Sequence, residues 1–111
     1  MNYNNKKFKP VINSENGEID TETIFHYKQE KNILTAEYSG TNIKKGHLIG
    51  TVDKLGKIQM SYHQINKQNE IMTGICFSIP EILSDGKIRL HEKWTWTSGD
   101  KSEGYSVIEE I

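Results

Sequence analysis

Ile88-Arg89-Leu90-His91-Glu92-Lys93-Trp94-Thr95-Trp96 has the pattern of a β-strand. Its even positions are apolar and its odd positions polar, which is the period of a strand with one buried face. Only Glu92 breaks the alternation. Turn residues bracket the stretch, Ser84-Asp85-Gly86 before it and Ser98-Gly99-Asp100 after it. Similar punctuation recurs about every ten residues: at Asn16-Gly17, Glu30-Lys31-Asn32, Ser39-Gly40-Thr41, Asp53-Lys54-Leu55-Gly56 and Lys67-Gln68-Asn69-Glu70. No segment carries an apolar period of 3.6. The spacing predicts an all-β chain of about eight strands, near 7–13, 21–29, 33–39, 43–53, 57–66, 71–79, 87–97 and 103–110. Short strands at even spacing predict a single up-and-down antiparallel β-barrel domain over 1–111.

Composition agrees. Of 111 residues, 15 are isoleucine, five leucine and one alanine, a mixture that suits strands over helices. Fourteen basic and 15 acidic residues give a net charge of −1, which argues against a strongly basic nucleic-acid binder. Lys6-Lys7-Phe8-Lys9 reads as a solvated first strand. One cysteine, Cys76, leaves no internal disulfide and no multi-cysteine zinc site. Met1-Asn2-Tyr3-Asn4-Asn5-Lys6-Lys7 has no apolar run behind it, so it does not read as a signal peptide. The longest apolar run, Ile75-Cys76-Phe77, is far too short to span a membrane. The expectation is a cytoplasmic protein without membrane or nucleic-acid partners.

Turn chemistry sets the registers. A type I turn with Gly56 left-handed pairs Val52 with Ile58, Gly50 with Met60 and Leu48 with Tyr62. A two-residue turn at Gln68-Asn69 pairs Tyr62 with Ile75, Met60 with Phe77 and Ile58 with Ile79. One at Glu30-Lys31 pairs Tyr27 with Leu34, Phe25 with Ala36 and Thr23 with Tyr38. A loop after Ser39 sets Leu34 opposite Leu48 and Ala36 opposite Gly46. Around Gly99-Asp100, Trp94 meets Tyr105 and Glu92 meets Val107. The predicted interior then holds Phe25, Tyr27, Leu34, Ala36, Tyr38, Leu48, Val52, Ile58, Met60, Tyr62, Ile75, Phe77, Ile79, Ile88, Leu90, Trp94, Trp96, Tyr105 and Val107. Gly46 and Gly50 also point inward, leaving a void or letting strands close up at a corner. Ile24, Ile33, Ile49, Ile65, Ile71 and Ile108 point outward and could form a protein contact, such as a homodimer face.

Glu92 is the most informative residue. A carboxylate inside a barrel costs several kcal/mol unless it is paired. It is a polar anchor in a ligand pocket, or part of a structural network with Tyr62, Gln64, Thr73 and Tyr105, or it faces water on a bulge. Trp94 and Trp96 with Tyr105 can stack a planar ligand or hold a cation, or simply plug the barrel. The predicted pocket for a small apolar or aromatic ligand is Tyr27, Tyr38, Met60, Tyr62, Gln64, Glu92, Trp94, Trp96 and Tyr105. No catalytic set, metal site or cofactor is predicted. His47 and His63 fall opposite each other on the outer face, but no HxH, HxxxH or HExxH spacing occurs. Cys76, also placed outward, reads as a half-buried small hydrophobe. No GxxxxGK[ST] or GxGxxG loop occurs. Catalysis with Glu92 as acid or base would need an open cleft around it.

As a string, the chain resembles a family of small bacterial proteins of about this length. Gly46-His47-Leu48-Ile49-Gly50, Met72-Thr73-Gly74-Ile75-Cys76 and the run from Leu90-His91-Glu92-Lys93-Trp94-Thr95-Trp96 to Ser102 carry the likeness, which extends over essentially the whole chain. Members often bear the label N-acetylglutamate synthase, which implies acetyl transfer from acetyl-CoA. The GNAT acetyltransferase fold needs a [QR]xxGx[GA] loop for the cofactor's pyrophosphate. None occurs here, so no residue carries over to that role. The resemblance implies a bacterial cytoplasmic protein. The predicted barrel is also similar to the calycin architecture of lipocalins and fatty-acid-binding proteins, a likeness of fold alone.

Overall fold

A computed structural model describes residues 1–111. Eight strands follow one another: β1 (Lys7–Asn13), β2 (Ile24–Glu30), β3 (Ile33–Ser39), β4 (Ile43–Val52), β5 (Ile58–Asn66), β6 (Ile71–Ile82), β7 (Ile88–Trp96) and β8 (Glu103–Glu110). Each pairs antiparallel with the next, and β1 pairs with β8, which closes the barrel. Closure leaves no free sheet edge. Pro10 sits where the β1–β8 register shifts, between Pro10 and Ile12, a bulge that tolerates its missing N–H.

One loop geometry builds three of the hairpins. In Asp53–Lys57, Asn66–Glu70 and Leu83–Lys87 the first N–H donates to the fifth carbonyl, and the fourth N–H donates back to the first carbonyl. The fourth residue is left-handed each time: Gly56 at φ 82°, Asn69 at 64° and Gly86 at 86°. Asp53 and Asn66 brace their loops alike, each side-chain oxygen accepting two backbone N–H groups. The Asp53 hairpin takes its expected register. Asn66–Glu70 does not, because Asn69 does the work of a glycine and the loop has three residues, not two. Tyr62 therefore faces Gly74, Met60 faces Cys76 and Ile58 faces Ser78.

That one-residue slip turns β6 over. Ile75, Phe77 and Ile79, predicted inside, are exposed at 45%, 53% and 52%, while Cys76 and Ser78 are buried. The same slip occurs in β8, where Gly99 and Lys101 both adopt left-handed conformations. Trp94 pairs with Gly104 and Glu92 with Ser106. Tyr105 thus points out, 57% exposed, and Val107 is only half-buried, while Ser106 and Ile108 turn inward. Ile108 is therefore core, not an outward contact residue. The β2–β3 turn residues are Lys31-Asn32, so Tyr27 pairs with Ala36 and Phe25 with Tyr38. In β3–β4, Leu34 pairs with Gly50 and Ala36 with Leu48. Both pairings lie two residues from expectation, which preserves every face.

Gly46 marks neither a void nor a corner. Its cross-strand partner is Tyr38, whose ring lies over it, and an added methyl would overlap that ring. Tyr62 covers Gly74 and Trp94 covers Gly104 in the same way. Three large aromatics of the interior, Tyr38, Tyr62 and Trp94, thus each cover a glycine of the next strand.

Both termini and the 31–32, 53–57 and 83–87 turns lie at one end of the barrel. Tyr3, fully buried, plugs it, and its hydroxyl donates to the Gly56 carbonyl. Phe8 and Tyr27 pack against it with ring centroids 6.3 and 6.1 Å away. The opposite end is crossed by the β1–β2 connection, residues 14–23.

Candidate functional site

Beneath that connection the barrel is hollow. A cavity of about 50 Å³, room for a few water molecules, lies there between the strands and the connecting strap. Eight of the nine expected pocket residues line it: Tyr27, Tyr38, Met60, Tyr62, Gln64, Glu92, Trp94 and Trp96. Tyr105, on the outside of β8, does not. Thr73, expected to support Glu92, bonds Thr97 instead, on the outer side of the sheet. Asn13, Glu18, Cys76 and Ser106 line the cavity and were not expected there.

Glu92 stands mid-strand on β7, flanked across the sheet by Ser78 and Ser106. Ser78 Oγ donates to Glu92 Oε2 at 2.7 Å. No lysine, arginine or histidine lines the cavity, so the carboxylate has no counter-charge. Burial pushes it up to about 7, and the Ser78 hydroxyl and Cys76 thiol, which hydrogen-bond the charged form, hold it from going higher. The Tyr27 hydroxyl is buried and has no hydrogen-bond partner. Such a group is rare in a folded protein and costs about 1–3 kcal/mol.

Most of the other polar side chains are engaged in holding the strap that crosses the mouth. Tyr38 donates to Gln64 Oε1 at 2.8 Å, and Gln64 and Asn66 both donate to the Glu18 carboxylate at 2.8 Å. Trp94 Nε1 donates to Ser106 Oγ, Ser106 to Asn13 Oδ1, and Asn13 to the Ile19 carbonyl. Trp96 Nε1 donates to the Asn16 carbonyl at 3.0 Å. The two indoles meet edge to face, centroids 5.5 Å apart. The Tyr27 hydroxyl is thus left without a partner, and Glu92, though bonded by Ser78, without a counter-charge.

A hollow calycin-type barrel with one closed end can be compared with known proteins. The family model described as avidin-like protein matches residues 1–111. The chain belongs to the avidin-like family. Searches of the curated proteins and of the solved structures each returned no match. The N-acetylglutamate synthase label finds no support: the match and the helix-free barrel both lead away from an acetyltransferase.

Two other reactive groups of this avidin-like barrel are accounted for. Cys76 is buried on the inner face, not half-buried on the outer one. Burial pushes its thiol well up, and the nearby Glu92 charge pushes further. Alkylation of the folded barrel at pH 8 is expected to run at least about a hundredfold slower than that of the unfolded chain. Equal rates, followed by mass spectrometry, would put Cys76 outside. His47 does pair with His63, rings stacked 5.2 Å apart on the outer face. No three His, Cys, Asp or Glu side chains stand where they could hold a metal ion together.

The serines flanking Glu92 were legible in principle. A lone inward carboxylate is best placed where its cross-strand neighbours are polar, and only the observed register puts serine on both sides. The strap residues carried no such signal, because Asn16-Gly17 reads as an ordinary turn.

Proposed function

We propose that this avidin-like barrel binds one small molecule in its interior, without catalysis, through the mouth beneath residues 14–23. The Tyr27 hydroxyl carries the reading. It is buried, unpartnered and at the cavity wall beside a carboxylate that also lacks a partner of opposite charge. A ligand that bonds both groups relieves two costs at once. The aromatic walls supply the apolar contact. Membership of the avidin-like family is consistent with this reading. Cytoplasmic residence belongs to the same proposal and suits a single buried thiol.

The test is tryptophan fluorescence of the purified protein against a metabolite and fatty-acid panel. A saturable change that weakens in Glu92→Gln supports interior binding. Silence across the panel overturns it. In the same titration Tyr27→Phe is expected to bind about tenfold more weakly, one lost hydrogen bond. Its melting temperature should match or exceed that of the wild type, because the hydroxyl bonds nothing in the free barrel. A lower melting temperature would mean that the hydroxyl is structural.

A second reading concerns the outer face. Ile33 on β3, Ile49 on β4 and Ile75 and Phe77 on β6 are about half exposed on one side of the barrel, with the polar Gln59 and Ser61 of β5 between them. We assign it to self-association as a homodimer. Light scattering that shows only monomer at high concentration would remove this reading and leave the first intact.

A further inference from the structure

We propose that the ligand is an organic cation with N–H donors, a primary ammonium or guanidinium head on a short apolar stem, seated between Glu92 and the Tyr27 hydroxyl. The inference rests on the interior-binding reading and narrows it to one chemical class. Two carboxylates line the cavity, Glu92 on β7 and Glu18 on the strap, and no basic side chain does. The strap adds Glu15, Asp20 and Glu22 without a single lysine or arginine. Lys44 at the start of β4 and Lys67 and Lys101 on the neighbouring loops balance the outer rim, so selection falls to the interior.

The interior favours a cation three times over. Glu92 accepts hydrogen bonds when ionised and lacks a counter-charge, so a donor cation completes an ion pair that the free barrel leaves open. The Tyr27 oxygen has free lone pairs and can accept a second N–H. Phe25, Tyr38, Tyr62, Trp94 and Trp96 present ring faces and edges around the same space, where a cation gains from the ring quadrupoles. An anion would meet two carboxylates in a poorly solvated site. A neutral ligand would leave Glu92 uncompensated.

The titratable groups facing Glu92 are Cys76 on β6, Tyr27 on β2, Tyr38 on β3 and Tyr62 on β5, with the neutral Ser106 on β8. All four titratable groups are pushed upward by burial and remain protonated at neutral pH. Across neutral pH, Glu92 is therefore the one interior group among these that changes charge.

Isothermal titration of the full chain with benzylammonium, benzyl alcohol and benzoate tests the class, because the three probes share a ring and differ in head charge. Benzylammonium is expected to bind at least about tenfold more tightly than benzyl alcohol at pH 8, and benzoate not at all. Its affinity should weaken about tenfold from pH 8 to pH 6, as Glu92 takes up a proton. Glu92→Gln, checked for a wild-type near-ultraviolet circular dichroism spectrum, should lose the preference for the cation. Tyr27→Phe should weaken benzylammonium while keeping the pH dependence. Equal binding of benzyl alcohol or benzoate would overturn the cation class and leave interior binding standing. Undiminished benzylammonium binding by Glu92→Gln would do the same. Absence of saturation by benzylammonium at about 10 mM, below any useful affinity, would also overturn the class, and interior binding would then be decided by the metabolite panel.

Discussion

Glu92→Gln is expected to melt roughly 10 °C above the wild-type barrel at pH 8 and level with it near pH 4. The sign follows from burial. The folded barrel holds the Glu92 proton up to about pH 7, whereas the ordinary value is 4.5. Between those values the native state keeps a proton that the unfolded chain releases, so wild-type stability falls as pH rises through that window and levels off above it. At 1.36 kcal/mol per pH unit, the full effect is about 3 kcal/mol. Glutamine cannot ionise, can still accept from Ser78, and escapes this loss. Calorimetry of the two proteins at pH 4, 6 and 8 isolates the effect, because every other titration is common to both. A variant that melts lower than the wild type at pH 8 would show that the carboxylate holds the barrel together. A group that destabilises the free protein yet is needed by the ligand is the signature of a binding site rather than of the framework.

Gly74→Ala is expected to cost about 3 kcal/mol, the upper end of ordinary overpacking. The new methyl would overlap the Tyr62 hydroxyl and stand 2.8 Å from the Thr95 carbonyl, which belongs to the backbone and cannot swing away. Gly46→Ala should cost somewhat less, because its obstacle is the Tyr38 ring, a side chain that can tilt at the expense of its bond to Gln64. Gly86→Asn is the control. Its position is left-handed and open, with nothing within 4 Å of an added Cβ, and asparagine tolerates that conformation. It should cost under about 1 kcal/mol. Chemical denaturation of the three variants also reads the register. Were β6 one residue out of place, Gly74 would face solvent and alanine there would be harmless or mildly stabilising.

The strand count, the up-and-down order and the shared inner face of β2, β3, β4, β5 and β7 were all legible, because alternation survives when a pairing register is off by two residues. What failed was parity. Asn66-Lys67-Gln68-Asn69-Glu70 contains no glycine, so its three-residue loop passed for a two-residue turn and β6 turned over. Ile75, Phe77 and Ile79 are apolar in either orientation, and nothing in their side chains objects. The missing constraint was steric. Tyr38, Tyr62 and Trp94 each need a glycine opposite, and only one register per hairpin provides all three. Applied to β7–β8, the same rule moves Tyr105 out of the pocket and brings Ser106 in. Glu92 was recoverable because one charge in an otherwise perfect alternation is conspicuous. Tyr27's unpartnered hydroxyl was not, since the lack of a partner is a property of the packed interior alone.

Trp94 and Trp96 stand at the cavity wall and report on its occupancy. Their indole N–H groups give two separate signals in a proton–nitrogen correlation spectrum, because one donates to Ser106 and the other to Asn16. Titration with the tightest ligand of the panel is expected to move both signals together, saturably, along with the backbone signals of Ser78 and Tyr27. Stationary indole signals, with shifts confined to Ile49, Ile75 and Phe77 on the outside of the barrel, would contradict interior binding.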